Sequence, residues 1–206
     1  MIARIDYKAG NLTSVKKALA TIGADVIVPE TPDDLANVGG IIVPGVGHFG
    51  ATRALDQAWI DAILARVGEG RPLFGICLGM QWLYEGSDEA PELAGLGLLS
   101  GRCYRLGNPQ SAIHNPQSVK VPHVGWNSLA ITREGGLLDG VADGSQVYFT
   151  HSYAAPVTGD SSASTEHGQV FASVVQRGHI GGVQFHPEKS GDVGLRILRN
   201  FVELAG

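Results

Sequence analysis

The chain has very little cysteine: only Cys77 and Cys103 among 206 residues. Two thiols make no disulfide framework, and in a reducing compartment each is expected to stay free. An excess of positive charge is also missing, since the formal net charge is −5 and the sequence pI is near 5.8. That leaves no broad basic field to hold duplex nucleic acid or an anionic membrane surface, so small molecules or another protein are the expected partners. No apolar run approaches the roughly 18 residues that span a bilayer. Met1-Ile2-Ala3-Arg4-Ile5-Asp6 has no signal-peptide pattern, and a cytoplasmic location is the expectation. Repeats, low-complexity domains and a P-loop are lacking too. What is present, at 44% hydrophobic content, is enough apolar surface to bury a full core. A single domain over residues 1–206 follows.

The first half alternates short apolar runs with amphipathic segments. Ala3-Arg4-Ile5, Val26-Ile27-Val28 and Ile41-Ile42-Val43 read as strands, while Val15, Ala18, Leu19 and Ile22 recur at helical spacing. This is βαβ patterning. Asn11 or Thr13 can cap the first helix and Gly23 can end it. Leu55, Trp59, Ala62, Ile63 and Arg66 describe a second helix that ends before Gly68. After about Gly101 the pieces are short and strand-like, at Val124-Gly125-Trp126, Val147-Tyr148-Phe149, 170–175 and 180–185, which predicts an antiparallel extension of the sheet. Val193, Ile197, Leu198, Phe201 and Val202 form the apolar face of a closing helix, with Ser190 available as its cap. The polar stretches 107–119 and 158–168 are expected to be exposed loops.

Three motifs carry chemistry. Gly75-Ile76-Cys77-Leu78-Gly79 falls between the apolar Pro72-Leu73-Phe74 and the helical segment Met80-Gln81-Trp82-Leu83-Tyr84-Glu85, the strand-turn-helix context of a nucleophile elbow. A thiol there meets unpaired backbone N–H groups that favour thiolate, although a free cysteine also reads as a small buried apolar group. Cys103 has no such context and reads as structural. His186-Pro187-Glu188 follows the strand-like Gly182-Val183-Gln184-Phe185, which would set an imidazole at a strand end with a carboxylate to hold its tautomer. Alone, it reads equally as an exposed loop. Pro44-Gly45-Val46-Gly47 follows the strand Ile41-Ile42-Val43, where glycines let backbone N–H groups face an anion, or where an ordinary βα turn sits. A metal site has weaker support, because Cys77, His151 and His186 share no familiar ligand spacing.

Together these three motifs, with Met80-Gln81 added to the second, resemble the class I (triad) glutamine amidotransferases in order and spacing. Val121-Pro122-His123-Val124-Gly125-Trp126-Asn127, Tyr148-Phe149-Thr150-His151-Ser152-Tyr153 and Lys189-Ser190 resemble the branch that serves imidazole glycerol phosphate synthase as its glutaminase subunit. The resemblance implies a three-layer α/β/α fold, flavodoxin-like, with a central mixed, mostly parallel sheet. It implies that Cys77 attacks the carboxamide of L-glutamine, His186 transfers protons and Glu188 orients it, with no cofactor. The N–H of Leu78, and that of Val46 after a peptide rearrangement within the Gly45 to Gly47 turn, would hold the oxyanion. Gln81, Ser152, Tyr153 and Glu89 would contact the substrate. Ammonia would pass to a (β/α)8-barrel cyclase subunit that faces Asn11, Trp126 and Lys189; for Trp126 a plain core position is the other reading.

Overall fold

Ile41, Ile42 and Val43 are apolar without alternation, as a strand covered on both faces must be, and the fold covers them. The computed structural model describes residues 1–8, 12–107 and 119–206. Asn11 and most of the expected loop 107–119 lie outside the described residues. The first half runs β1 (Ile2–Arg4), α1 (Leu12–Thr21), β2 (Val26–Ile27), β3 (Gly40–Gly45), α2 (Gln57–Gly68), β4 (Leu73–Cys77) and α3 (Leu78–Trp82). Then come β5 (Gly86–Ser87), β6 (Arg102–Arg105), β7 (His123–Ser128), β8 (Ala130–Ile131), β9 (Gln146–His151) and β10 (Tyr153–Ala154). β11 (Ser161–Glu166), β12 (Val170–Arg177), β13 (Ile180–Val183) and α4 (Gly191–Leu204) complete the chain.

Eight strands form the main sheet in the order β2-β1-β3-β4-β13-β12-β11-β8. Pairing is parallel from β2 through β13 and antiparallel from there to β8. The sheet is therefore mixed and mostly parallel; of the segments expected to extend it antiparallel, 170–175 does so, 180–185 runs parallel to β4 and antiparallel to β12, and Val124-Gly125-Trp126 and Val147-Tyr148-Phe149 lie outside it. Period-2 alternation divides the core into two layers. Ile41, Val43 and Leu73 face Ile63 and Val67 of α2. Ile42, Phe74 and Ile76 face Val15 and Leu19 of α1 together with Ile197, Leu198 and Phe201 of α4. Phe74 and Phe201 stack with ring centroids 5.0 Å apart. β7 and β9 form a separate two-stranded ribbon, whose Val147 and Phe149 join the α1/α4 layer.

Local signals hold at most element ends. Gly23 adopts φ 74 just past α1, and the N–H of Ala24 bonds back to the Leu19 carbonyl at 3.0 Å, so the helix closes there. Leu55 stands ahead of α2 rather than inside it: Asp56 is the cap, its carboxylate accepting from the Trp59 N–H at 3.2 Å. The helix expected over Met80 to Glu85 begins earlier, at Leu78, and ends at Trp82.

Two expectations are corrected. Ser190 occupies the N-cap position of α4, but its side chain makes no cap bond; its hydroxyl donates to the His186 carbonyl at 2.7 Å and accepts from the Tyr148 N–H at 3.0 Å. The stretch 158–168 is not an exposed loop, because β11 occupies most of it as an interior strand of the main sheet with Ser161, Ser162, Ala163 and Thr165 buried. Small hydroxylated side chains hide a strand from hydropathy, and here their oxygens are satisfied. Ser162 accepts from the Arg133 guanidinium at 2.9 Å, and Thr165 donates to the Ser128 carbonyl at 2.9 Å.

The sharpest packing constraint lies where β4 turns into α3. A Cβ on Gly79 would run into the Val43 carbonyl oxygen, and one on Gly75 would lie 2.5 Å from the Met80 nitrogen. Gly79→Ala is expected to destabilise the chain by about 1–3 kcal/mol through overpacking, read as a lowered urea midpoint at unchanged m-value. A wild-type midpoint would show that α3 can lift off β3 without cost.

Candidate functional site

Cys77 ends β4 and immediately precedes α3, with φ 53 and ψ −107. Among the described residues only Lys8 shares a positive φ without being glycine. Such backbone costs on the order of 1–3 kcal/mol and persists where its surroundings dictate it. They do so here, since Gly45 lies in register with Cys77 across β3 and Val183 lies in register with Ile76 across β13. The strained turn brings Cys77 to the wall of a cavity of about 270 Å³ that also touches Gly47, Leu78, Gln81, Glu89, Ser152 and Tyr153.

Glu89 reaches this cavity from a loop after β5, and its carboxylate accepts from the Phe49 N–H at 2.6 Å. That bond ties the Glu89 side of the cavity to the segment just after Pro44-Gly45-Val46-Gly47. Gly47 has φ 92, which glycine supplies at no steric cost. Tyr7, which sequence reasoning missed, packs its hydroxyl against Gly45 without a hydrogen-bond partner among the described residues. Burial, reinforced by the nearby Cys77, pushes its ionisation far upward.

His186 lies just beyond β13, and its Nδ1 bonds to Glu188 Oε1 at 2.9 Å, with the two side chains 2% and 4% exposed. Its other ring nitrogen, Nε2, has no bond partner. Burial works to strip charge from this ring, but the influence of Cys77 and of Glu188 outweighs it and holds the imidazolium above its ordinary range. Among the described residues Nε2 closes no hydrogen bond, and the Cys77 thiol adds to the pull that keeps this ring positive.

Sequence reasoning also missed Gln184. It is fully buried, and its Nε2 donates to Cys77 Sγ at 3.6 Å, while its Oε1 accepts from Gln81 Nε2 at 3.1 Å. Gln81 donates as well to the Tyr153 carbonyl at 2.8 Å. The available signal was a lone polar side chain in the strand-like Gly182-Val183-Gln184-Phe185 run. Among the described residues, no group of three or more His, Cys, Asp or Glu is arranged to hold a metal ion.

Away from the cavity, Trp126 is 57% exposed, which overturns the core reading of that residue. It meets Tyr148 edge to face at 6.0 Å between centroids, and Lys189 Nζ lies 5.7 Å from the same Tyr148 ring. Tyr148 is what joins the two residues named from sequence. Asn11 lies outside the described residues.

Two predictions follow from this chemistry. Cys103 is fully buried, and desolvation drives its thiol far upward, so iodoacetamide on the native chain is expected to modify Cys77 and spare Cys103, read by peptide mass spectrometry. For stability, burial holds His123 down to about 4 and His151 to about 3, so below about 6.5 the unfolded chain binds more protons and stability falls with pH. His186, shifted upward, acts oppositely: its contribution is complete below about 6.5 and is lost as pH rises toward its folded pKa. Urea midpoints are expected to peak near neutrality and to fall between about pH 6.5 and 4; His123→Asn should flatten that acid limb.

The family model for glutamine amidotransferase class-I matches residues 3–204. A protein of Moorella thermoacetica named imidazole glycerol phosphate synthase subunit HisH is 45% identical over 211 residues, covering 98% of this chain and 94% of that protein. The protein of the same name from Halobacterium salinarum is 46% identical over 211 residues, covering 98% and 92%. Among solved structures, a glutamine amidotransferase matches with a TM-score of 0.75 at 23% identity over 100% of both chains, which speaks for the fold alone. The chain belongs to the class-I glutamine amidotransferase family and, within it, to the HisH subunits of imidazole glycerol phosphate synthase.

Proposed function

We propose that the chain hydrolyses L-glutamine to glutamate and ammonia through Cys77, His186 and Glu188. The ammonia passes to a (β/α)8-barrel cyclase subunit, with which the chain pairs as a heterodimer in the cytoplasm. The product chemistry is synthesis of imidazole glycerol phosphate and aminoimidazole carboxamide ribotide in histidine biosynthesis. The observation that carries this reading is the strained Cys77 at the cavity wall, electrostatically coupled to a buried His186 whose far nitrogen is bonded to Glu188.

The steps follow from those positions. With the proton they share resting on His186, the Cys77 thiolate attacks the side-chain carbonyl carbon of glutamine. The oxygen becomes an oxyanion between the Leu78 N–H and, after a peptide rearrangement within the Gly45 to Gly47 turn, the N–H of Val46. As the carbon–nitrogen bond breaks, His186 returns its proton to the departing amide nitrogen, which leaves as ammonia. Water then gives a proton to His186 and attacks the thioester carbon; the carbon–sulfur bond breaks, Cys77 regains its proton and glutamate departs. Glu188 holds the ring in one orientation and stabilises its positive form throughout.

Substrate binding falls to Gln81, Glu89, Ser152 and Tyr153. Both hydrogens of the Gln81 amide are committed to Tyr153 and Gln184, so Gln81 offers a ligand its carbonyl oxygen only. One carboxylate oxygen of Glu89 is held by Phe49, which leaves the other for an ammonium group. The exposed Trp126, Tyr148 and Lys189 cluster is the face we assign to the cyclase, with Asn11 completing it. No cofactor is needed for any step.

Cys77→Ala is expected to abolish glutamine-dependent synthesis by the complex while free ammonia still supports the cyclase, because only the nitrogen source is lost. A coupled product assay with each nitrogen donor checks this. Glutamine-dependent turnover retained in the variant would sink the reading.

A further inference from the structure

One carbonyl fixes the direction of every hydrogen bond behind Cys77. The Tyr153 oxygen can only accept, and it accepts from Gln81 Nε2 at 2.8 Å and from His151 Nδ1 at 2.9 Å. Gln81 therefore turns its amino group inward, and that group also meets Gln184 Oε1 at 3.1 Å. With its oxygen committed, Gln184 has its own amino group left for Cys77 Sγ, 3.6 Å away. Flipping the Gln81 amide would oppose two carbonyl oxygens, and flipping Gln184 would oppose two amino groups.

The other arm obeys the same logic. His151 carries its proton on Nδ1, so Nε2 accepts and His123 Nδ1 donates to it at 3.1 Å. His123 Nε2 is then left to accept from Asn127 Nδ2 at 3.3 Å. Burial keeps both rings neutral, the state this sequence of donors requires.

We propose that Gln184 is a positioning residue for the reaction: its N–H, oriented through Gln81 by the Tyr153 carbonyl, holds the Cys77 sulfur toward the cavity and stabilises negative charge on it. The proposal rests on the reading of Cys77 as the nucleophile. Val183 and Phe185 belong to one apolar layer, so alternation turns the intervening Gln184 to the opposite face, where its amide meets Gln81 and reaches the Cys77 sulfur. Its backbone is fixed there by an N–H bond to the Ser173 carbonyl at 3.0 Å. Burying a carboxamide in this place costs desolvation that an apolar side chain of equal length would avoid. What the carboxamide supplies in return is a donor to sulfur, a bond that strengthens when the acceptor becomes charged.

The test uses the complete complex with its cyclase subunit and compares wild type with Gln184→Met, which keeps length and apolar packing. Two rates are measured: alkylation of Cys77 by iodoacetamide at fixed pH, and steady-state glutamine hydrolysis. Loss of a donor to a charged group is expected to lower both the alkylation rate and kcat by about 10–100-fold, with KM nearly unchanged. Wild-type alkylation and kcat in the variant would overturn the proposal, whether or not thermal stability falls, because Gln184 would then be packing alone. Should the methionine variant fail to fold, Gln184→Glu makes the same comparison, since it keeps an acceptor toward Gln81 and removes the amide donor toward sulfur. If the wild-type thiol itself resists iodoacetamide while bound to partner and glutamine analogue turnover is also absent, the nucleophile reading fails instead, a distinct result.

Discussion

The site depends on one close approach, that of the first turn of α3 to the carbonyl of Val43 across Gly79. Because no Cβ intervenes, α3 can start immediately after β4 instead of after a loop. The chain must then reverse its course within a single residue, and Cys77 takes that reversal as a positive φ. The same compression holds the thiol at a cavity wall while the strand below it is paired on both sides by β3 and β13. Contact with a cavity and rigid support, which usually compete, are supplied together by the center of a mostly parallel sheet.

Burial alone does not decide charge in this molecule. His186 and His151 are both almost fully buried, yet one is driven upward and the other downward. The difference is the company each ring keeps. His186 has a carboxylate on one nitrogen and faces a thiol, so two groups favour its positive form. His151 has a carbonyl and a neutral imidazole, which cannot balance the lost hydration. His186 further discourages charge on His151, so the positive charge is confined to the ring that is paired with Glu188.

Much of this was legible before any coordinates. Glycines at 75 and 79 announce a turn that bulkier residues could not make, and an imidazole two residues before a carboxylate announces an orienting pair; both signals are local and survive in one dimension. The sheet order is partly legible for the same reason, through unbroken apolar runs such as Ile41-Ile42-Val43. β11 is not, because Ser161, Ser162 and Thr165 are buried by satisfying hydroxyls rather than by hydrophobicity. Gln184 was hidden for a related reason: a polar residue within an apolar strand looks like solvent-facing alternation until the strand proves interior. Ser190 carries a capping signature yet spends its hydroxyl on His186 and Tyr148, since a tertiary demand next to the site overrides a local one. Tyr148 opens one of the motifs that carry the resemblance, but only the fold sets it between Trp126 and Lys189.

The position of Tyr148 has a mechanical consequence. Its ring belongs to the outer aromatic cluster with Trp126, while its backbone accepts from the His186 N–H at 2.9 Å and donates to Ser190 at 3.0 Å. Three residues further along the same strand, His151 borders the cavity. One piece of backbone in the β7–β9 ribbon therefore joins the outer aromatic cluster, the His186 turn and the cavity wall.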